Sequence, residues 1–345
     1  MNRYTILRSK SDKTSFFIEN RAFIVVICLL LLSLLLLVLG LSVGSTFIHP
    51  LSIIKYLLGT GDGEYTFIIE TLRLPRMLLA FLAGISLAIS GLILQGIVRN
   101  PLASPDIIGI TGGAKVAAVA FITFFSTVSI TWVPVVAIIG AGIASFLIYI
   151  LAWKKGVNPI RLVLIGIGIE AGMGALVTMM MVLSPTYSTS EAYIWLTGSV
   201  YGANWNNVFS MLPWVLIFAP IAILLARRIN LQEFGDDLAT GLGSNVQLNR
   251  FILIFISVAL AGSAVGFVGG IGFVGLISPH IARKLVGRTF GSLAPVSALV
   301  GGMIVMFADI VARTLFLPLD LPAGVFVSGI GAPFFIFLLY KNRNM

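Results

Sequence analysis

Ten blocks of apolar residues recur along the chain, at 22–44, 74–97, 105–125, 132–152, 159–183, 207–228, 249–268, 276–287, 293–315 and 323–340. Most are close to the roughly 20 residues a helix needs to cross a bilayer core. Inside hydrocarbon a backbone has no water to satisfy its N–H and C=O groups, so such blocks must be helical. The chain therefore reads as a single all-α integral membrane domain over 1–345, with about ten transmembrane helices behind a polar N-terminal segment at 1–21. Two blocks are expected to be broken or partly re-entrant: 276–287 is too short to span alone, and 105–125 carries Gly112, Gly113 and Lys115. Only 10% of the 345 residues are charged and 58% are hydrophobic, whereas roughly a quarter of a soluble domain is charged. The run at 22–44 is too long for a signal-peptide core and lacks a small-residue cleavage site, so it reads as a retained first helix.

Ten crossings place both termini on one side, and charge indicates which. With the N-terminus in the cytoplasm, Arg3, Arg8, Lys10, Lys13, Arg21, Arg99, Lys154, Lys155, Arg161, Arg227, Arg228, Arg250, Arg283, Lys284, Arg288, Lys341 and Arg343 all fall in cytoplasmic segments. Lys55, Arg73 and Arg76 are left on the outer face, and Lys115 and Arg313 within apolar blocks. That distribution follows the positive-inside rule. The net charge of +9 is thus a topology signal, with no basic face of the kind nucleic acid requires.

Several familiar chemistries are disfavoured. Cys28 is the only cysteine, and His49 and His280 lack ligand-type neighbours at helical spacing, so no metal site is expected. His280 follows Pro279 in what reads as a helix-initiating turn. Gly270-Ile-Gly-Phe-Val-Gly275 has dinucleotide-binding spacing but joins two membrane blocks, where that mechanism needs a soluble strand and helix. Gly112-Gly-Ala-Lys115 lacks the Ser or Thr of a phosphate loop. No catalytic constellation is visible, and the chain is expected to bind no cofactor and to be no enzyme.

The remaining candidates for function are polar groups in costly places. Lys115, Glu170, Asp309 and Arg313 lie in apolar blocks, where each must face protein, water or a partner. Asp309 and Arg313 are four apart and can pair on one helix face; a structural ion pair and a functional one are both open. Glu170 either lines a polar pathway or bonds a neighbouring helix. The segment 230–248 mixes apolar residues at helical spacing with acids and glycines. It reads as two short amphipathic helices at the membrane surface, suited to a cytoplasmic protein partner. Arg73-Leu-Pro-Arg76 opens a helix with Pro at its start and marks the outer face with cations, for an acidic partner or for lipid phosphates. Leu87-Ala-x-Ser90 with Ser104-Pro105 is echoed by Leu260-Ala-x-Ser263 with Ser278-Pro279. This is either an inverted repeat of the transporter kind or chance recurrence.

Taken together, Arg73-Leu-Pro-Arg76, Leu87-Ala-Ile-Ser-Gly91, Asn100-Pro-Leu-Ala103, Ile108-Gly109, Gly112-Gly113, Gly272-Phe-Val-Gly-Leu276, Pro279-His280, Ala308-Asp-Ile-Val-Ala-Arg313, Leu321-Pro-Ala-Gly324 and Gly331-Ala-Pro-Phe334 resemble the permeases of ABC importers for iron-siderophores, haem and vitamin B12. The resemblance covers about 73–340. It implies a vitamin B12 permease-like fold with an inverted repeat, in the bacterial plasma membrane, with both termini cytoplasmic. It further implies a second permease subunit, two cytoplasmic ATPase subunits that use ATP and Mg2+, and an extracytoplasmic substrate-binding protein. By the same resemblance, Arg73, Arg76 and Arg313 receive carboxylates of the binding protein, with Asp309 orienting Arg313. Phe234, Gly235, Asp236, Asp237, Ala239, Leu242 and Gly243 fall on the coupling helices that meet the ATPase. The acids Asp236 and Asp237 depart from the more neutral form of that segment and imply a specific ATPase. Iron-siderophore is the expected cargo, with haem, cobalamin or a gradient-driven secondary transporter as alternatives.

Overall fold

The computed structural model describes residues 4–8, 15–61, 63–125, 127–154 and 156–341, with the side chains of 4–18 and 186–188 outside that description. Arg3, Lys10, Lys13, Lys155 and Arg343, counted above as cytoplasmic charges, lie outside the described residues. A short antiparallel hairpin, β1 (Tyr4–Arg8) and β2 (Ser15–Glu19), precedes the first helix. The rest is helical: α1 (Asn20–Ser42), α2 (Pro50–Leu57), α3 (Leu74–Val98), α4 (Ile110–Phe124), α5 (Val133–Ala152), α6 (Pro159–Leu183), α7 (Thr186–Thr197) and α8 (Trp205–Leu224), then α9 (Ala226–Glu233), α10 (Asp236–Gly241), α11 (Val246–Val268), α12 (Val274–Val286), α13 (Phe290–Thr314) and α14 (Ala323–Lys341). Among the described residues, eight helices are long and apolar enough to cross a membrane. The short α4 and α12 correspond to the two blocks expected to be broken.

Both interruptions have a backbone cause. A 3-10 turn at Pro105–Ile108 ends on Gly109, whose φ of +68° lets the chain turn before α4 begins. Gly166 of α6 seats against this turn, and a Cβ there would meet the Ile107 carbonyl at 1.6 Å. Between α11 and α12 the Gly270–Gly275 run forms the expected connection between helices, with Phe273 at φ +64°. Pro279 does not start a helix as its position suggested: it lies inside α12, which begins five residues earlier. His280 packs edge-on against Phe334 of α14, ring centroids 5.7 Å apart. Upstream of α3, Phe67–Arg73 is a π-helix running straight into Pro75. Proline has no N–H to give to the preceding turn, and the Leu74 N–H bonds the Ile69 carbonyl instead.

Helices α3, α11 and α13 form the centre, while α1, α6, α8 and α14 turn long apolar faces outward, as helices bordering lipid do. Hydrophobic burial gives little reason for helices to associate in lipid, so close packing must do it. At Gly84 of α3 a Cβ would lie 2.2 Å from the Gly301 carbonyl oxygen of α13, and at Gly91 one would lie 2.0 Å from the Gly275 oxygen of α12. Ser90 and Ser257 share a buried 2.7 Å hydrogen bond between α3 and α11. Both Leu-Ala-x-Ser motifs thus sit on the two central helices. These helices run antiparallel, since Arg99 after the C-terminal end of α3 and Arg250 at the N-terminal end of α11 both reach Asp236.

Candidate functional sites at the two ends of α3

Arg76 and Arg99 bracket α3, about 35 Å apart at 1.5 Å per residue. Each anchors a cluster of polar side chains at its own face of the bundle.

At the first face the three expected arginines come together around a cavity of about 680 Å³, also lined by Tyr201, Asn204 and Asp320. None of the three is a free surface cation. Arg73 donates to the Leu41 carbonyl at 2.5 Å and to those of Ser42 and Thr46 at 3.2 and 2.6 Å. This satisfies carbonyls left open where α1 ends. Gly44 makes room, since a Cβ there would sit 2.7 Å from Arg73 Nη2. Arg76 donates from Nε to Asp309 at 2.9 and 3.1 Å and from its two Nη atoms to Asp320 at 2.6 and 2.8 Å. The Tyr201 ring lies 5.7 Å from the same guanidinium. Arg313 donates to the Gly40 carbonyl, and its Nε is 3.6 Å from Asp309. The i,i+4 pair anticipated on α13 is therefore present but loose. Asp309, fully buried, principally holds Arg76 of another helix.

Asp320 was missed by the sequence reading. The available signal was a lone acid in the apolar stretch Leu315–Pro322, just before Leu321-Pro-Ala-Gly324; nothing local shows that it reaches back 244 positions to Arg76.

At the opposite face two short helices are present as expected, although α9 begins at Ala226, four residues ahead of the 230–248 segment, and only α10 lies wholly within it. Gly235 joins them with φ +112°, a conformation open essentially to glycine. Ala239 faces inward with no exposure, while Phe234, Leu238 and Leu242 point out at 68%, 61% and 69% exposure. Asp236 bonds Arg250 Nη2 at 2.9 and 3.1 Å and also pairs with Arg99. Arg99 in turn donates from Nε to the Gln232 carbonyl at 3.0 Å. Asp237 is exposed. Of the two acids taken together in the sequence, one ties the segment to α3 and α11 and the other is turned outward. Gly243 ends the segment at φ +78°, and Arg228, Asn249 and Ser244 form a chain of 2.9 Å hydrogen bonds beneath it. Arg99 and Arg250 entered the sequence reading only as topology charges.

Glu170 belongs to neither end. It lies on α6 with its carboxylate against Gly112 of α4, where a Cβ would be 2.1 Å from Oε2. Gly113 faces the other way, onto the Gly140 carbonyl of α5. The glycine pair is thus used to admit a carboxylate on one side and a helix on the other. Among the described residues no group of three or more His, Cys, Asp or Glu is placed to hold a metal ion.

Comparison with known proteins agrees with this architecture along nearly its whole length. The chain is 48% identical to the "Probable siderophore transport system permease protein YfhA" of Bacillus subtilis (strain 168), over 94% of this chain and 97% of that protein. It is 49% identical to the achromobactin transport system permease protein CbrC of Dickeya dadantii (strain 3937), over 91% and 90%. A solved ABC transporter of proposed metal-chelate type, in an inward-facing conformation, superposes with a TM-score of 0.82 at 31% identity, covering 93% of this chain and 99% of that one. The FecCD transport family matches residues 29–341, and the chain, a multi-pass membrane protein, belongs to that family.

Proposed function

We propose that this chain is the permease subunit of a binding-protein-dependent ABC importer that carries iron-siderophore complexes into the cytoplasm. The observation that carries this reading is the separation of two unlike partner surfaces by one rigid helix. One end of α3 offers a cavity lined by arginines, and the other the α9–α10 segment with three outward apolar side chains, Phe234, Leu238 and Leu242. An acidic substrate-binding protein fits the first, at Arg73, Arg76 and Arg313. An ATPase fits the second, at Phe234, Gly235, Asp236, Asp237, Ala239, Leu242 and Gly243. In this reading the arginine end is extracytoplasmic, the termini are cytoplasmic, and a second permease subunit completes the pathway. ATP and Mg2+ are bound by the ATPase subunits, and this chain supplies the gated path. Docking and ATP binding then bias an equilibrium between outward- and inward-open states, which gives direction only because each partner favours one state over the other. The iron-siderophore cargo is supported by the transport systems in which the similar permeases are named.

Uptake of radiolabelled iron on a panel of siderophores tests the reading, in cells carrying the native chain or Arg73→Glu/Arg76→Glu with all partners present. Selective loss of one siderophore at normal membrane abundance is the expected result. Unchanged uptake of every chelate in both the variant and a full deletion removes the iron cargo.

A further inference from the structure

Arg76 has neither two-point edge of its guanidinium to spare. A guanidinium carries five N–H donors in a rigid fork; in Arg76 the Nε edge is taken by Asp309 and the Nη atoms by Asp320 and Asp309. A carboxylate arriving from outside cannot bind this fork in two-point fashion until one resident carboxylate leaves. The two residents differ in what leaving costs. Asp309 is wholly buried on α13, where losing Arg76 leaves its charge inside the bundle with only the 3.6 Å contact to Arg313. Asp320 lies on the α13–α14 connection, its side chain 26% exposed, on the wall of the same cavity. It can swing into water and be hydrated there.

We propose that Asp320 is an internal stand-in for the partner's carboxylate, and that docking at Arg76 is an exchange in which an incoming Asp or Glu side chain displaces it. The proposal rests on the docking reading above and adds to it a specificity residue. A surface without a suitably placed carboxylate would remove Asp320 from Arg76 and give nothing back, so it is rejected; one with a carboxylate replaces like with like. The exchange also has a route inward. Four residues after Asp320, Gly324 donates its N–H to the Gly198 carbonyl at 2.9 Å. It packs so closely there that a Cβ would meet the Thr197 oxygen at 2.1 Å. Release of Asp320 therefore frees the segment that seats the start of α14 against the end of α7, next to Tyr201 over the same guanidinium.

The test is the affinity of the assembled transporter, in lipid nanodiscs, for the binding protein that supports uptake in the experiment above. Asp320→Asn, and independently Asp320→Ser, should tighten docking about tenfold or more, the low end of what close charge pairs contribute. Asp320→Glu should stay near native affinity, and Arg76→Glu should abolish docking. Monodisperse elution and normal ATPase association establish that each variant has folded; two neutral variants are used so that misfolding of one leaves the other. Native or weaker affinity in the folded neutral variants, with Arg76→Glu still defective, overturns the exchange and leaves the docking site standing. Unimpaired docking of Arg76→Glu overturns the docking site and the exchange with it.

Discussion

Arg250 on α11 and Asp236 at the start of α10, fourteen positions apart, meet at 2.9 Å, the arginine without solvent exposure and the aspartate 39% exposed. The pair fixes the surface helix to the membrane bundle, so motion of one is felt by the other.

Removing the acid should therefore cost stability as well as function. Asp236→Ala leaves Arg250 buried without its carboxylate. Because Asp236 is itself half in water, the expected loss is at the lower end of the roughly 3–5 kcal/mol that breaking a buried pair costs. Thermal unfolding of the purified chain in nanodiscs measures it. Asp237→Asn, changing the neighbouring exposed acid, should leave the melting temperature where it was.

The outward apolar side chains predict the opposite separation. Phe234→Ser, Leu238→Ser and Leu242→Ser remove exposed surface, and each should leave the isolated chain's stability within about 0.5 kcal/mol. Together they should weaken ATPase association at least about tenfold, as lost anchors of an interface do. Co-purification of tagged chain with its ATPase reads the second effect, and the unfolding curve the first. A destabilised chain with full ATPase binding would contradict the assignment.

Asp309 is the structural member of the arginine cluster. Asp309→Asn leaves Arg76 with only the partly exposed Asp320 and removes the 3.6 Å contact to Arg313. Destabilisation of about 3–5 kcal/mol is expected. Arg76→Met/Asp309→Leu, which removes both charges, should recover most of that stability while losing transport. A double-mutant cycle on unfolding free energies separates the two contributions.

The glycines of the α11–α12 connection make a matched pair. Gly275→Ala places a Cβ 2.8 Å from the Leu87 carbonyl oxygen and 3.3 Å from the Gly91 Cα, whereas nothing lies within 4 Å of a Cβ at Gly272. Backbone cannot step aside as a side chain can, so Gly275→Ala should cost about 1–3 kcal/mol, and Gly272→Ala should be silent. Equal effects would show that spacing, and not the helix crossing, selects these glycines.

Gly112 and Glu170 should behave as one unit. Gly112→Ala drives a methyl into the carboxylate, 2.1 Å from Oε2, and should lower both stability and uptake. Glu170→Ala introduced beside it should restore stability by relieving the clash. Recovery of uptake in the double variant would mean that the carboxylate is packing; continued loss of transport with restored folding would place it on the pathway.

Much of the architecture was legible because a membrane helix is a local property. Whether a run such as 159–183 crosses depends on its own length and apolarity against a fixed hydrocarbon thickness. Gly109 and Gly269, at φ +68° and +73°, break helices through their own backbone freedom. Pro279 shows where local reasoning failed: a proline that reads as a helix start is held inside α12 by packing on both sides. Arg73, Arg76 and Arg313 stood out in the sequence, yet what surrounds them did not.

The sequence by itself determined where the apolar helices lie, which two of them are short, which segment forms short amphipathic helices and which residues are too costly in lipid to be idle. Tertiary structure alone decided what those residues hold. Arg76 takes its partners from 233 and 244 positions away, and Asp236 chooses Arg99 and Arg250 over solvent. Such pairings follow from which helices the glycine crossings bring within contact. Charges in an apolar bundle must then bind whatever opposite charge that packing delivers, because the alternative is an unpaired ion away from water.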